Sequence, residues 1–418
     1  MKRKTPVSLS LLLLCLFCLL LFASCTESRS MPIVTDEQTE AIPAFTETDA
    51  PTEPVTEPVT EPVTEPVTEP ATEPVTEPAT ESVEEQYPQT VEDDGVSALK
   101  TAEPEDGVFI NPLSGLVCDQ TQAELRPAAI MLNNIAAALP QQNIAAADVL
   151  YECEVEGGLT RLMGVYNDYQ DLVGIGSVRS SREYYIDFAA NHDAIYVHAG
   201  GSDSAYVNLK NRGINNIDGV NGGAVTAYFY RDPVRRQTMA LEHTLVIDGK
   251  KLAEAVKFKK YRTSYAKSFE NPLHFVGPDQ TLVLTGSAAK AAETFTVAFG
   301  AHKTSFAYDA GSNAYLRSQN GKKQIDGVTE EQLAYENVIV LFCPYKKTND
   351  DKNHITVADT GSGKGYLMTG GKYTEISWSK TSGDTAFRLT YPGGRDVYLT
   401  PGKTNIEIVN SASSVIFD

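Results

Sequence analysis

The hydrophobic positions of this 418-residue chain fall into three regimes. Residues 9–22 are a predominantly apolar run of 14 positions, residues 26–106 have almost no apolar pattern, and from residue 107 apolar positions recur with the periods of strands and helices. Along residues 148–156, alternation puts Val149, Tyr151, Cys153 and Val155 on one face. Leu150, Glu152, Glu154 and Glu156 fall on the other, because successive strand side chains point to opposite sides. Gly157-Gly158 ends that strand. Residues 173–178 and 194–199 read as further strands. A helical stretch follows each, one through Tyr185, Ile186, Phe188 and Ala189 and the other through Ala205 and Leu209. Ser180 with Glu183 three residues on fits a capping box, and Ser202 is placed to cap the second helix.

The pattern changes near residues 265–280. Beyond it, short strand-like runs such as 295–299, 338–343, 375–379, 387–391 and 405–409 dominate, punctuated by Gly370-Gly371, Ser382-Gly383, Gly393-Gly394 and Pro401-Gly402. The prediction is an α/β (or α+β) N-terminal domain with a mixed sheet over residues 107–270, plus a smaller, mainly β C-terminal domain over residues 271–418.

The first apolar run is short of the roughly 20 residues that span a bilayer. With Lys2, Arg3 and Lys4 before it, residues 1–25 read as a signal peptide. Phe22-Ala23-Ser24-Cys25 has the form of a lipobox, so Cys25 is the expected lipidation site, with an ordinary signal peptide as the alternative. One acyl chain holds a protein to a membrane only weakly; the diacylglyceryl group of bacterial lipoproteins supplies two. The expected location is the extracytoplasmic face of the cell membrane, through lipid on Cys25.

Residues 26–106 read as a disordered acidic tether. From Thr52 to Glu81 a Thr-Glu-Pro-Val unit repeats with small variations. A proline at every fourth position removes backbone donors and disfavours helix. At about 3.1 Å per residue in an extended polyproline-like form, the repeat reaches about 90 Å. A plain spacer is the simplest reading; a glycosylated stalk and a ligand for another protein are alternatives.

Charge sharpens this division. Residues 26–106 hold 22 Asp and Glu against Arg29 and Lys100, and the leader carries Lys2, Arg3 and Lys4. Of the chain's formal charge of −20, residues 107–418 therefore carry −3. The acidity belongs to the tether and says nothing of what the folded part binds. Beyond the leader and Cys25 only Cys118, Cys153 and Cys343 remain, too few and too far apart for a disulfide framework or a zinc site. No metal site and no cofactor is expected.

Candidate chemistry gathers in the N-terminal half. Three acids on one strand face suit metal or acid–base work, but the simpler reading is a solvated face. Glu156 stands apart because it ends the strand beside two glycines and close to Arg161. Arg179-Ser180-Ser181-Arg182-Glu183 places two arginines at a helix start, where backbone N–H groups already favour anions and guanidinium forks add bidentate recognition. The alternative is that these arginines pair with Glu152 or Glu156. His198 ends the strand of residues 194–199, at the edge where open α/β sheets bind ligands, although a lone strand histidine is more often structural. A fourth segment, Tyr228-Phe229-Tyr230-Arg231-Asp232 through Arg235-Arg236 and Glu242-His243, suits a sugar, an anionic head group or a domain interface. No Walker loop, dinucleotide fingerprint, GxSxG elbow, HExxH motif or helix-turn-helix is present, and no nucleic-acid partner is expected.

These segments together resemble the YerB-like lipoprotein family. The resemblance runs through Asn111-Pro112-Leu113-Ser114-Gly115-Leu116, Arg126-Pro127, Asn133-Asn134, Val155-Glu156-Gly157-Gly158-Leu159-Thr160-Arg161, residues 176–182 and 194–202, Gly363-Lys364-Gly365, Trp378 and Pro401-Gly402-Lys403-Thr404. It implies a lipoprotein with an N-terminal α/β domain and a smaller C-terminal domain, and no established reaction. Leu241-Glu242-His243-Thr244 and Ser177 depart from the family's pattern. A looser likeness is to LytR-CpsA-Psr phosphotransferases, which start a strand with an acidic residue and later present an Arg-Asp pair to a polyprenyl pyrophosphate. Here Asp148 starts a strand and Arg-Ser-Ser-Arg replaces the pair, so the likeness is one of analogy.

Three functions follow. In the first, a non-enzymatic envelope module binds an anionic or glycan ligand, or a cell-wall protein, through Arg161, Arg179 and Arg182, with Glu156 and His198 orienting them. In the second, a metal-assisted enzyme acts on a phosphate-linked envelope precursor, with Asp148 or Glu156 holding the cation. In the third, the polar cluster is structural and the C-terminal domain binds protein.

Overall fold

The alternation along residues 148–156 forms the strand at the centre of the molecule, and its two faces meet different partners. The structure, a computed structural model, describes residues 89–99, 101 and 106–418. The leader with Cys25 and the Thr-Glu-Pro-Val repeat lie outside the described residues.

The main elements of the N-terminal half are β1 (Gln89–Asp93), β2 (Ala128–Asn133), β3 (Val149–Glu154), β4 (Thr160–Tyr166), β5 (Ile175–Gly176), α1 (Glu183–Ala190), β6 (Ile195–His198), α2 (Asp203–Asn211), β7 (Asn216–Asp218), β8 (Phe229–Arg231), β9 (Leu245–Ile247) and α3 (Gly249–Phe258). The C-terminal half adds β10 (Gln280–Leu284), β11 (Thr294–Phe299), β12 (His302–Asp309), β13 (Ala314–Gln319), β14 (Asn337–Phe342), β15 (Gly361–Thr369), β16 (Lys372–Lys380), β17 (Thr404–Val409) and β18 (Val415–Phe417). The N-terminal half is thus a mixed-sheet domain with few helices, and the C-terminal half is mainly β.

The two halves share one sheet. Its central order is β16-β15-β14-β17-β3-β4-β2-β6-β7 within eleven strands. β17 runs parallel to both β14 and β3, so the last long strand of the chain joins the first half to the second. β4 is antiparallel to β3 and β2, while β2, β6 and β7 are parallel. The change of pattern near residues 265–280 lies within a single compact unit, with the described residues on both sides of it belonging to that unit.

Val149, Tyr151, Cys153 and Val155 join one hydrophobic core with Tyr184, Tyr185 and Phe188 of α1 and with Ile339, Ile406 and Trp378. Leu150 joins the other, with Leu252 and Val256 of α3 and with Phe295, Phe306 and Tyr315 of a second, six-stranded sheet that includes β11, β12, β13 and β18. That second sheet covers the face carrying Glu152, so Glu152 has no exposed surface. The expectation of a solvated acidic face is corrected on this point. An isolated strand reading cannot see a sheet arriving from about 150 residues later in the chain, roughly a domain length.

Two further differences matter. The Ser180–Glu183 capping box does not form; α1 begins at Glu183 with Arg182 as its N-cap and without a side-chain cap bond. Ser180 belongs instead to an extended segment whose backbone is already committed, with Arg179 N–H donating to Met131 O at 3.0 Å and Ser181 N–H to Gly200 O at 2.9 Å. Ser202 does cap α2, accepting from Ala205 N–H at 3.2 Å. Within the stretch read as tether, residues 89–93 form β1, parallel to β10. Asp93 is buried there, accepting from the Tyr391 hydroxyl at 2.8 Å and pairing with Arg395.

Candidate functional site

The turn from β3 into β4 is built by two glycines with φ of 73° each, Gly157 and Gly158, a conformation that side-chain-bearing residues adopt at a cost. It carries Glu156 just past the sheet end, toward the segment of residues 177–182. Arg161, one position into β4, reaches the same place from below. Its Nη2 lies 3.0 Å from Glu156 Oε1 and its Nη1 donates to Ser180 O at 3.0 Å. Arg182 grips the same carboxylate with two bonds, Nε to Oε2 at 3.0 Å and Nη2 to Oε1 at 2.5 Å. Tyr184 and Tyr185 donate to the Glu154 and Cys153 carbonyls, at 2.8 and 3.0 Å, which pins the hairpin to α1.

Arg161, Arg182 and Glu156 therefore converge. The two guanidinium side chains are 8% and 7% exposed, while the carboxylate between them keeps 28%. Burial alone would raise the Glu156 carboxyl, but the Arg161 charge and the Arg182 bonds outweigh it and hold it at about 2. Burial and the Arg182 charge push Arg161 below its usual range; Glu156 opposes this, and Arg179 adds to the repulsion. Arg179 stands beside the cluster with a partner of its own, Glu242, at 3.3 Å, and its Nε is buried without a hydrogen bond.

Positive charge continues past Arg179. Arg231, at the end of β8, is pushed down by burial and then by Arg236 and Arg179. Its Nη1 donates to Leu241 O at 2.5 Å. His243 lies 3.0 Å from Asn133 and 3.5 Å from Glu242, and burial keeps its ring toward the neutral form. Arg231 and Arg236 thus extend positive charge outward from the cluster of Arg161, Arg179 and Arg182, whose carboxylate partners are Glu156 and Glu242. The sequence flagged this fourth segment without placing it. The three-strand order β8-β9-β5 brings its ends to Arg179.

His198 does not join them. It is fully buried, 2.8 Å from Gly200 O and 3.3 Å from Asn216 Oδ1, with its ring stacked on Tyr196. Its contacts hold the loop after β6 against β7. Asp148 lies at the opposite end of β3 from Glu156, accepting from Asn111 Nδ2 at 2.9 Å and Asn167 N–H at 2.8 Å, and burial raises its carboxyl. It does not face the arginines, so the phosphotransferase pattern is not reproduced. Among the described residues no group of three His, Cys, Asp or Glu is placed to hold a metal ion.

A second polar cluster escaped the sequence reading. Glu152 pairs with Arg317 and with His302 at 3.0 Å, and accepts from Asn134 at 2.9 Å and Thr304 at 2.7 Å. Glu407 lies 3.8 Å from Arg317, with both carboxyl oxygens buried and without a hydrogen bond. Burial, then the Glu152 charge, raises the Glu407 carboxyl far above its usual range. The available signal was a glutamate between two isoleucines, Ile406 and Ile408, in a strand run.

A groove of about 740 Å³ lies elsewhere, and none of Arg161, Arg179, Arg182 or Glu156 lines it. Its Asp193, Asp384 and Asp396 are all paired with arginines.

A mixed-sheet domain sharing its central sheet with a mainly β domain, and carrying an arginine-rich face, defines a two-domain α/β-plus-β protein. The chain belongs to the family described as Protein of unknown function (DUF3048), whose N-terminal domain matches residues 113–262 and whose C-terminal domain matches residues 295–406. It is 27% identical over 304 residues to "Putative lipoprotein YerB" of Bacillus subtilis (strain 168), covering 71% of this chain and 85% of that one. The crystal structure of the YerB protein from Bacillus subtilis shares its fold, with a TM-score of 0.63 at 24% identity over 74% of this chain and 99% of that chain. Among the described residues no helix is long and apolar enough to cross a membrane.

Proposed function

We propose that the protein is a lipid-anchored module of the cell envelope that binds an anionic ligand without chemical turnover, at the face formed by Arg161, Arg179 and Arg182 around Glu156. The observation that carries this reading is the charge balance. Two nearly buried guanidiniums share one partly exposed carboxylate, and a third arginine, Arg179, adds to the repulsion on Arg161. A phosphate or carboxylate arriving there relieves that repulsion, and guanidinium forks suit both groups. Glu156 acts as the internal counter-ion that keeps the arginines aligned before the ligand comes. The relative described as a lipoprotein supports the envelope location, with Cys25 as the anchor.

Calorimetric titration of the chain from residue 25, made as Cys25→Ser, with inorganic phosphate and pyrophosphate tests the reading. Arg179→Glu with Arg182→Glu is expected to abolish the binding while the fold persists by circular dichroism. Unchanged binding in that variant overturns it.

A further inference from the structure

The loop joining β8 to β9, residues 232–244, presents apolar side chains in a basic frame. Val234 is 71% exposed and Leu241 57%. The loop is held firmly from beneath. The buried Arg235 side chain donates to Pro140 O and Ala138 O, both at 2.6 Å, and to His243 O at 3.1 Å. Asp232 Oδ1 accepts from Val234 N–H at 2.8 Å and from Arg235 N–H at 3.0 Å, and Asp232 Oδ2 accepts from Gln142 at 2.8 Å. Arg231 holds the Leu241 carbonyl and Arg179 the Glu242 carbonyl. The ordering cost of presenting two apolar side chains to water is thus already met by the frame.

We propose that this loop docks on an anionic phospholipid bilayer, with Val234 and Leu241 entering the head-group boundary and Arg231, Arg236 and Arg179 meeting lipid phosphates. The chemistry of the loop favours that occupant. Apolar side chains beside arginines match a surface that is anionic outside and apolar beneath. Each basic residue near such a surface adds to the attraction. On the exposed loop Glu242 opposes them, while the buried Asp232 carboxylate is offset by the buried Arg235 beside it. A relative described as a lipoprotein puts a bilayer within reach, and 63 residues separate Cys25 from Gln89, ample chain for the body to return to it. The proposal goes beyond the anion site and shares only Arg179 with it.

The test is co-sedimentation of the chain from residue 25, as Cys25→Ser, with vesicles of phosphatidylcholine alone or with about a third phosphatidylglycerol. Binding is expected only to the anionic vesicles. Val234→Ser with Leu241→Ser, and separately Arg236→Glu, should each weaken it about tenfold. The apolar-loop variant should keep pyrophosphate binding, which also shows that it folds, and Arg236→Glu should keep its circular dichroism. Arg182→Glu should lose pyrophosphate and keep the vesicles, so the two readings fail separately. The proposal is overturned by absent vesicle binding, by equal binding to both lipids, or by apolar-loop variants that bind as before.

Discussion

Arg317 of the C-terminal half and Glu152 of the N-terminal half form an ion pair with no exposed surface on either side chain. The pair links the second sheet to the strand that carries the candidate site. Removing one member of such a pair leaves an uncompensated buried charge, which costs about 3–5 kcal/mol. Arg317→Met is therefore expected to lower the urea midpoint sharply. Adding Glu152→Gln to that variant should restore part of the loss, because the orphaned charge is then gone.

Glu407 shifts the other way with pH. Its folded carboxyl is raised by burial and by Glu152, so the folded state holds a proton that the unfolded chain releases. Stability from this group is complete below the unfolded value of about 4.3 and falls as pH rises above it. Glu407→Gln should raise the melting temperature at pH 8 more than at pH 4. Equal shifts at both would show that Glu407 is not the titrating group.

Glu156 shows the opposite sign. Its folded carboxyl is held at about 2, below the unfolded value of about 4.3, so its contribution is complete above the unfolded value and drains as pH falls toward 2. Glu156→Gln is expected to cost on the order of 1–3 kcal/mol at pH 7 and to flatten the acid side of the stability curve. Denaturation series between pH 2.5 and pH 7 measure both effects.

Gly300 and Gly158 bring two turns into backbone contact. A Cβ on Gly300 would lie 2.6 Å from Gly158 Cα, and Ala301 N–H donates to Gly158 O at 3.2 Å. Gly300→Ala must push back the turn that positions Glu156. The expected result is a loss of about 1–3 kcal/mol, together with weaker pyrophosphate binding in the same calorimetric assay.

Asp93 fastens β1 through Tyr391 and Arg395. Asp93→Ala removes the bonds to both Tyr391 and Arg395 and should loosen the strand. Limited proteolysis is expected to cut near residues 89–99 in the variant, while the intact chain resists there. Equal resistance would mean that backbone pairing alone retains β1.

How much of this was readable in the sequence follows from the range of each interaction. Strand β3, its two faces and the helix through Tyr185 and Phe188 came from local period, because both faces are buried against neighbours of matching pattern. The meeting of Glu156 with Arg161 was legible because five residues across a glycine turn leave little choice. That Arg182 pairs with Glu156 was one of the alternatives the sequence left open, because the pairing depends on where α1 starts. The Glu152–Arg317 pair, the Glu242 partner of Arg179 and the insertion of β17 beside β3 are products of topology. Residues 63 to 255 positions apart meet in these cases, and no local pattern reports such meetings.

Strand β1 is also the point through which any pull on the preceding chain must enter the folded body. It is bound at both ends, Gln89 N–H to Asp279 O at 3.0 Å and Thr285 N–H to Asp93 O at 2.8 Å. Tension arriving at Gln89 would run along the strand and load its hydrogen bonds to β10 in shear, sharing the force among them rather than opening them one by one. Behind them Asp93 acts as a stop against Tyr391 and Arg395, both in the C-terminal half. Such a pull would thus be received by elements other than those that hold the arginine face.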